Sequence, residues 1–252
     1  MARTALITGA SSGLGTEFAR QLAATGADLV LVARDVAALE AVAAEVSAAY
    51  SVTCEVLPAD LTDREGLRTV KHRLGDAERP VGILVNNAGF GLGLRFERND
   101  IGDEDRHLDL HVRAPMHLTH AALPGMIARG GGRIINVASV AAFLPRGTYG
   151  AVKAWVVSFS RWANVTYAPV TVTAVCPGFT HTGFHERMGL PPGEEGVPGW
   201  MWLSAADVVR AGLRDAARGA AVSVPSLRYR VLVAAARLLP SSLVARLAST
   251  GR

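Results

Sequence analysis

The chain is poor in cysteine, with two, Cys54 and Cys176, in 252 residues. So few thiols suggest no disulfide framework, and no Cys/His spacing resembles a metal site. Both cysteines sit in strand-like apolar runs, Val52 to Leu57 and Val170 to Cys176, as buried thiols of a reducing cytoplasm do. His111, His117 and His120 share a helical pattern without companion carboxylates, which argues against zinc. Long uncharged apolar runs are missing, so no transmembrane helix is expected. The opening Met-Ala-Arg-Thr leads straight into a strand pattern, without basic region, apolar core and cleavage site, so the expected location is cytoplasmic. Charge of one sign is scarce too: 26 Lys and Arg against 22 Asp and Glu give a net charge of +4. The arginines are spread along the chain, and nucleic acid is not an expected partner.

What is present is an alternation. Half of the residues are hydrophobic, and the length suits one domain, 1–252, with a substantial core. Near-continuous apolar runs at about 3–8, 28–33, 52–57, 82–85, 133–138, 170–175 and 220–225 predict strands buried on both faces. Helical periodicity fills about 14–25, 35–48, 63–74, 103–128, 149–166 and 204–217. Strand and helix in strict turn predict an α/β fold, a doubly wound parallel sheet with helices on both faces. Residues 181–202, rich in Pro, Gly, Met and Trp, read as a substrate lid. A helical tail at about 227–250, its Tyr229 to Ala248 stretch divided by Pro240, is expected to pack on its own domain or a partner subunit rather than on a membrane surface.

The first strand runs into Thr8-Gly9-Ala10-Ser11-Ser12-Gly13-Leu14-Gly15 and then a helix. Glycines let backbone N–H groups approach a pyrophosphate, and the helix start adds donors and a positive dipole end. The second strand ends in Ala33-Arg34, about 20 residues beyond the turn, where a carboxylate would bind the ribose of NAD and an arginine accommodates a 2′-phosphate. NADP(H) is therefore favoured over NAD(H), with Asp35 read as the next helix's N-cap. Asp60, after the third strand, is placed to accept from an adenine amino group or to cap a turn. Asn86-Asn87-Ala88-Gly89 ends the fourth strand, where the ligand crevice of an open α/β sheet lies. After the fifth strand come Ser139, then Tyr149 and Lys153 on one helix face. A nearby ammonium and an oxidised nicotinamide would lower the tyrosine pKa and make Tyr149 an acid–base group.

In this order, TGASSGLG at Thr8 to Gly15, NNAG at Asn86 to Gly89, Ser139, YGAVK at Tyr149 to Lys153, and Pro177-Gly178 followed by Phe179-Thr180-His181-Thr182 resemble the short-chain dehydrogenase/reductases over about residues 3 to 225. The resemblance implies a Rossmann-like domain of seven parallel strands and a nicotinamide cofactor. It implies that Ser139 orients substrate, Tyr149 is the acid/base, and Lys153 contacts the nicotinamide ribose. It also implies an adenine contact at Asp60, Asn86 near the cofactor, Thr182 at the carboxamide, and Val175 to Gly178 along the nicotinamide side. The cofactor set expected is Gly9, Ser11, Ser12, Gly13, Leu14, Gly15, Arg34, Asp60, Leu61, Asn87, Ala88, Gly89, Tyr149, Lys153, Pro177, Gly178, Thr180 and Thr182.

Two departures stand out. Where the family usually has an asparagine in the long helix after strand four, this chain has His111, either a proton relay or a space-filler. Ser139 and Tyr149 are ten positions apart rather than the usual twelve or thirteen. Phe90, Leu92, Leu94, Phe143, Phe184, Met188, Trp200 and Trp202 would make the pocket mainly apolar if they face it, suiting a lipophilic small-molecule ketone, aldehyde or alcohol. No positioned arginine pair points to a polyanionic substrate. The helix bearing Trp155 and Trp162 resembles the family's dimer and tetramer surface, so a homodimer or homotetramer is expected. The reading is an NADP-dependent carbonyl reductase or alcohol dehydrogenase, and its rival is a catalytically silent NADP-binding sensor or scaffold.

Overall fold

A computed structural model describes residues 3–93, 95–184 and 197–239. Seven parallel strands form one sheet in the order β3-β2-β1-β4-β5-β6-β7. They are β1 Thr4–Thr8, β2 Leu29–Ala33, β3 Cys54–Pro58, β4 Val81–Asn86, β5 Gly132–Val137, β6 Val170–Val175 and β7 Val222–Ser223. The helices are α1 Gly13–Ala23, α2 Val36–Tyr50, α3 Arg64–Gly75, α4 Ile101–Leu108, α5 Ala114–Ala128, α6 Gly147–Thr166, α7 Ala205–Ala217 and α8 Leu227–Leu238. The sheet is Rossmann-like, as expected.

The strands read as unbroken apolar runs because successive residues enter different cores. Leu6, Val30, Val32, Leu84 and Ile134 pack with α3 and α5 through Leu67, Val70, Leu118 and Met126. Their neighbours Ile7, Leu29, Leu31, Val85 and Ile135 pack with α1, α2 and α7 through Phe18, Leu39, Val42 and Val209. The chain winds outward from β1 to β3, then crosses back to β4. The β1/β4 junction is thus the switch point, and a ligand crevice opens outside the strands' C-terminal ends.

The helix expected over 103–128 is interrupted. Between α4 and α5, Asp109–Arg113 widens to a π-type turn in which the Ala114 N–H reaches back to the Asp109 carbonyl. Pro115 is the sequence cause: it has no N–H for the carbonyl four residues earlier, that of His111. The widened turn carries His111, buried, to the crevice wall. Helix caps follow the sequence closely. Asp35 accepts from the Ala38 N–H, Asp63 caps α3, Asp100 caps α4, and Ser204 caps α7.

Candidate active site

The C-terminal ends of β1 and β4 are bolted together by one hydroxyl and one amide. Thr8 Oγ1 accepts from the N–H groups of Asn87 (2.9 Å) and Ala88 (3.0 Å). Asn87 Nδ2 donates back to the carbonyls of Thr8 (2.9 Å) and Gly9 (3.2 Å). This brings the two strand ends so close that a Cβ on Gly9, which also has φ +64°, would lie 2.9 Å from Ala88 Cα. Gly15 sits behind the turn, and the Rossmann requirement for close helix–strand packing explains it. It was expected to touch the cofactor, but it is buried beneath the turn against the Gly9 carbonyl and not among the crevice-lining residues.

The crevice encloses about 1910 Å³. Along it lie Gly9, Ser11, Ser12, Gly13, Leu14, Arg34, Asp60, Leu61, Asn87, Ala88, Gly89, His111, Ser139, Tyr149, Lys153, Pro177, Gly178, Thr180 and Thr182, so every other expected site residue reaches it. Whether the cradle suits a dinucleotide is decided at α1. Ser12 makes no side-chain cap and the first turn has no acidic residue, so the N-terminal N–H groups face the crevice without a protein anion. A Cβ on Gly13 would press within 3.2 Å of Thr182, so the loop after β6 closes over the glycine turn. These residues fit a pyrophosphate. At the far end Arg34, 80% exposed at its side chain, lies 3.7 Å from Asp60. Asp60 is also a turn brace, accepting from the Thr62 N–H (2.9 Å) and hydroxyl (2.7 Å). Desolvation opposes ionisation of Asp60, but the Thr62 bonds and Arg34 outweigh it and hold its pKa below the usual carboxylate value.

Ser139, Tyr149 and Lys153 meet on one wall. Ser139 stands at the start of a short turn, Val140–Phe143, where its Oγ accepts from the Ala141 N–H (3.1 Å). α6 then starts at Gly147, which puts Tyr149 in its first turn, so the shortened connection still delivers the phenol to the hydroxyl of Ser139 by a hydrogen bond. Lys153, one turn on and 4% exposed, donates to the Val137 carbonyl (2.8 Å), with Nζ 5.6 Å from the Tyr149 ring centre. The lysine by itself does not bring the lowered tyrosine pKa that was expected from it together with an oxidised nicotinamide. Burial pushes Tyr149 up to about 12, because the phenolate would lose its hydration. Burial likewise brings Lys153 down to about 7.

His111 Nε2 lies 2.8 Å from the Phe90 carbonyl and 3.2 Å from the Phe90 N–H, so it donates to the first in one tautomer and accepts from the second in the other. Burial first, then Lys153, keeps the imidazole neutral. His111 borders the crevice and also a cavity of about 10 Å³ shared with Thr8, Asn86, Asn136 and Lys153, of the order needed for one water. Asn86 Nδ2 donates to Asn136 Oδ1 (2.8 Å), and Asn86 Oδ1, buried, has no partner among the described residues.

Phe90, Leu92 and Phe184 line the crevice, and so does Met201. Phe143 packs into a core with Val156 and Cys176 instead. Trp200 is 60% exposed, and Trp202 stacks on His181 at 4.8 Å, so neither supplies the pocket wall expected of it. Leu94, Met188, lid residues 185–196, and the tail from Pro240 onward lie outside the described residues.

Sequence reading gave Tyr229 no place in the site. Its side chain, 2% exposed, reaches from α8 to the loop after β6, where its hydroxyl accepts from the Phe179 N–H (3.1 Å) and donates to the Met201 carbonyl (2.8 Å). Its ring fills the place of a Gly178 side chain, for a Cβ there would sit 2.0 Å away. Pro177-Gly178 was the available signal, since a glycine beside a crevice admits a large ring from elsewhere. Tyr229→Phe strands a buried donor and acceptor and should cost about 1–3 kcal/mol. Thermal unfolding should fall by roughly 2–4 °C per kcal/mol, with a raised KM; an unchanged melting temperature and KM would show that the hydroxyl ties nothing down.

Known proteins resemble this chain in sequence and fold. Residues 3–190 match the short chain dehydrogenase family. The chain is 35% identical over 205 residues to Oxidoreductase UcpA of Escherichia coli K12, covering 77% of each. It superimposes on a short-chain dehydrogenase from Sphingobium yanoikuyae solved in complex with NADPH (TM-score 0.84, 36% identity, 93% of each chain). It also matches the bulky-bulky ketone specific alcohol dehydrogenase from Comamonas testosteroni (TM-score 0.79, 33% identity, 93% of this chain and 92% of that one). With agreement in sequence over most of its length and in the fold that carries the site, the chain belongs to the short-chain dehydrogenase/reductase family and is an oxidoreductase.

Proposed function

We propose that the protein is an NADP(H)-dependent carbonyl reductase acting on a lipophilic ketone or aldehyde. The observation that carries this reading is the hydrogen-bonded Ser139–Tyr149 pair with Lys153, set in a crevice that runs to Arg34. A bound reduced nicotinamide supplies the hydride. Tyr149 donates its proton to the carbonyl oxygen, and Ser139 holds that oxygen by its hydroxyl. A pKa pushed up to about 12 keeps Tyr149 protonated, which suits reduction better than alcohol oxidation. Lys153, fixed by the Val137 carbonyl, would contact the nicotinamide ribose. His111, neutral and shared between crevice and small cavity, relays the replacement proton. Phe90, Leu92, Phe184 and Met201 support a lipophilic substrate.

Arg34 supports the 2′-phosphate preference, and it is exposed enough to leave Asp60 for a ligand. Arg34→Ala should raise the KM for NADPH by about 10- to 100-fold and change that for NADH by less than about threefold. Equal losses for both cofactors would contradict it. A homo-oligomeric surface is supported by exposed apolar side chains on α5 and α6, Met116, Ile127, Trp162 and Val165. NADPH absorbance followed against a panel of hydrophobic ketones tests the reading; tight NADPH binding with no oxidation by any of them would favour a silent sensor.

A further inference from the structure

Arginines are spread along the chain, but its carboxylates stop at Asp215. Residues 216–252 hold six arginines and no Asp or Glu, whereas residues 1–215 hold 20 Lys and Arg against 22 Asp and Glu. The positive net charge therefore belongs to the stretch that contains α8. One face of α8 is packed: Tyr229 and Val233 are buried, and Tyr229 joins Leu203 and Val208 in a small core. The opposite face is bare. Leu238 is 87%, Leu227 75% and Val231 61% exposed, and their i, i+4, i+11 spacing puts them in one row. We propose that this face of α8 docks on an anionic lipid surface, lying in the plane of the headgroups.

Two features of the surroundings favour lipid. By helical geometry Arg228 and Arg230 fall about 80° to either side of the row. Their guanidiniums donate to backbone carbonyls, Arg228 to Trp202 (3.3 Å) and Arg230 to Val224 (2.8 Å), which leaves the charge in place. Among the described residues only Asp215 comes within ion-pair reach, 3.8 Å from Arg230, and it also serves Ser223 (2.6 Å) and Arg214 (3.1 Å). An apolar row flanked by cations suits an interfacial helix, whose arginines meet phosphates while the row enters the acyl boundary. Trp200 is the second feature. It is exposed on the turn Gly199–Met201, and α8 holds its neighbours: the Met201 carbonyl accepts from Tyr229 and the Trp202 carbonyl from Arg228. Indole favours the headgroup level. Charge argues against a second copy on this face, because two such arginine-rich stretches repel. Met201 also lines the crevice, so docking sets that part of the lining about one helix diameter from the lipid. This suits the lipophilic substrate read above, although the docking itself does not depend on that reading.

Co-sedimentation of the full chain with sucrose-loaded vesicles tests this. Phosphatidylcholine alone is compared with phosphatidylcholine containing about one third phosphatidylserine. Affinity for the anionic vesicles should be at least about tenfold higher at low salt and should fall as salt rises. Tryptophan emission should shift to the blue on those vesicles, and by less in Trp200→Phe. Leu227→Gln/Val231→Gln keeps helix propensity and should lose at least about tenfold in vesicle affinity, with melting temperature and NADPH affinity unchanged. No binding to anionic vesicles at low salt, or undiminished binding by the double variant, would overturn the inference. So would a lowered melting temperature of that variant, or a dimer that it abolishes, since either shows protein already covering this face.

Discussion

Changing Tyr149 to Phe should lower kcat for ketone reduction by about 10³-fold while NADPH affinity stays within about twofold. The phenol is the group hydrogen-bonded to Ser139 at the crevice wall, and the ring remains to fill the space beside Phe184 and His111. The loss should therefore appear in turnover and not in folding, read as kcat by NADPH absorbance and as an unchanged melting temperature. The pH dependence has a definite sign. With its pKa pushed up to about 12 by burial, Tyr149 holds its proton through the neutral range, so reduction needs no prior protonation of it. Alcohol oxidation needs the phenolate and should speed up as pH rises. Substantial turnover by the Phe variant would remove Tyr149 from the reaction.

Gly15→Ala should be the most damaging single-methyl change in the cofactor half. Its Cβ would lie 1.9 Å from the Gly9 carbonyl oxygen and 2.7 Å from Asn87 Nδ2, and these two groups are already hydrogen-bonded to each other. Backbone cannot step aside as a flexible side chain does, so α1 must move off β1. Overpacking of this kind costs about 1–3 kcal/mol. It also shifts the helix start that faces the crevice, so NADPH affinity should fall at least about tenfold. Gly75, the last residue of α3, has nothing within 4 Å of its Cβ position. Gly75→Ala should be neutral or stabilise by up to about 1 kcal/mol. Thermal unfolding and NADPH titration of both variants separate contact from composition; a Gly15→Ala protein with wild-type stability and affinity would refute the contact argument.

Much of this was legible in the residue order. Leu6 and Ile7 enter opposite cores, so β1 reads as an unbroken apolar run, and the same holds for β2, β4 and β5. Asp35 announced a cap, and it is one. Other features depend on three-dimensional proximity. Apolar periodicity continues through Pro115, so 103–128 reads as one helix and the widened turn under His111 emerged only in the fold. Arg95, Arg98, Arg106 and Arg146 look scattered in sequence, yet the fold puts all four along one crevice. Trp200 and Trp202 illustrate the converse, for large apolar side chains near a site need not face it. The tyrosine pKa was read from an ammonium and an oxidised nicotinamide, whereas the desolvation of the phenol and of Lys153 itself is visible only in the fold.

Hydride transfer with Tyr149 as proton donor is most directly tested with NADPH fully deuterated at C4 and a ketone that the enzyme turns over, with the product analysed by mass spectrometry. Each molecule of alcohol should carry one deuterium on the carbinol carbon, and Tyr149→Phe should form almost none of it. Alcohol lacking that deuterium, or labelled alcohol formed at the wild-type rate by Tyr149→Phe, would contradict the mechanism.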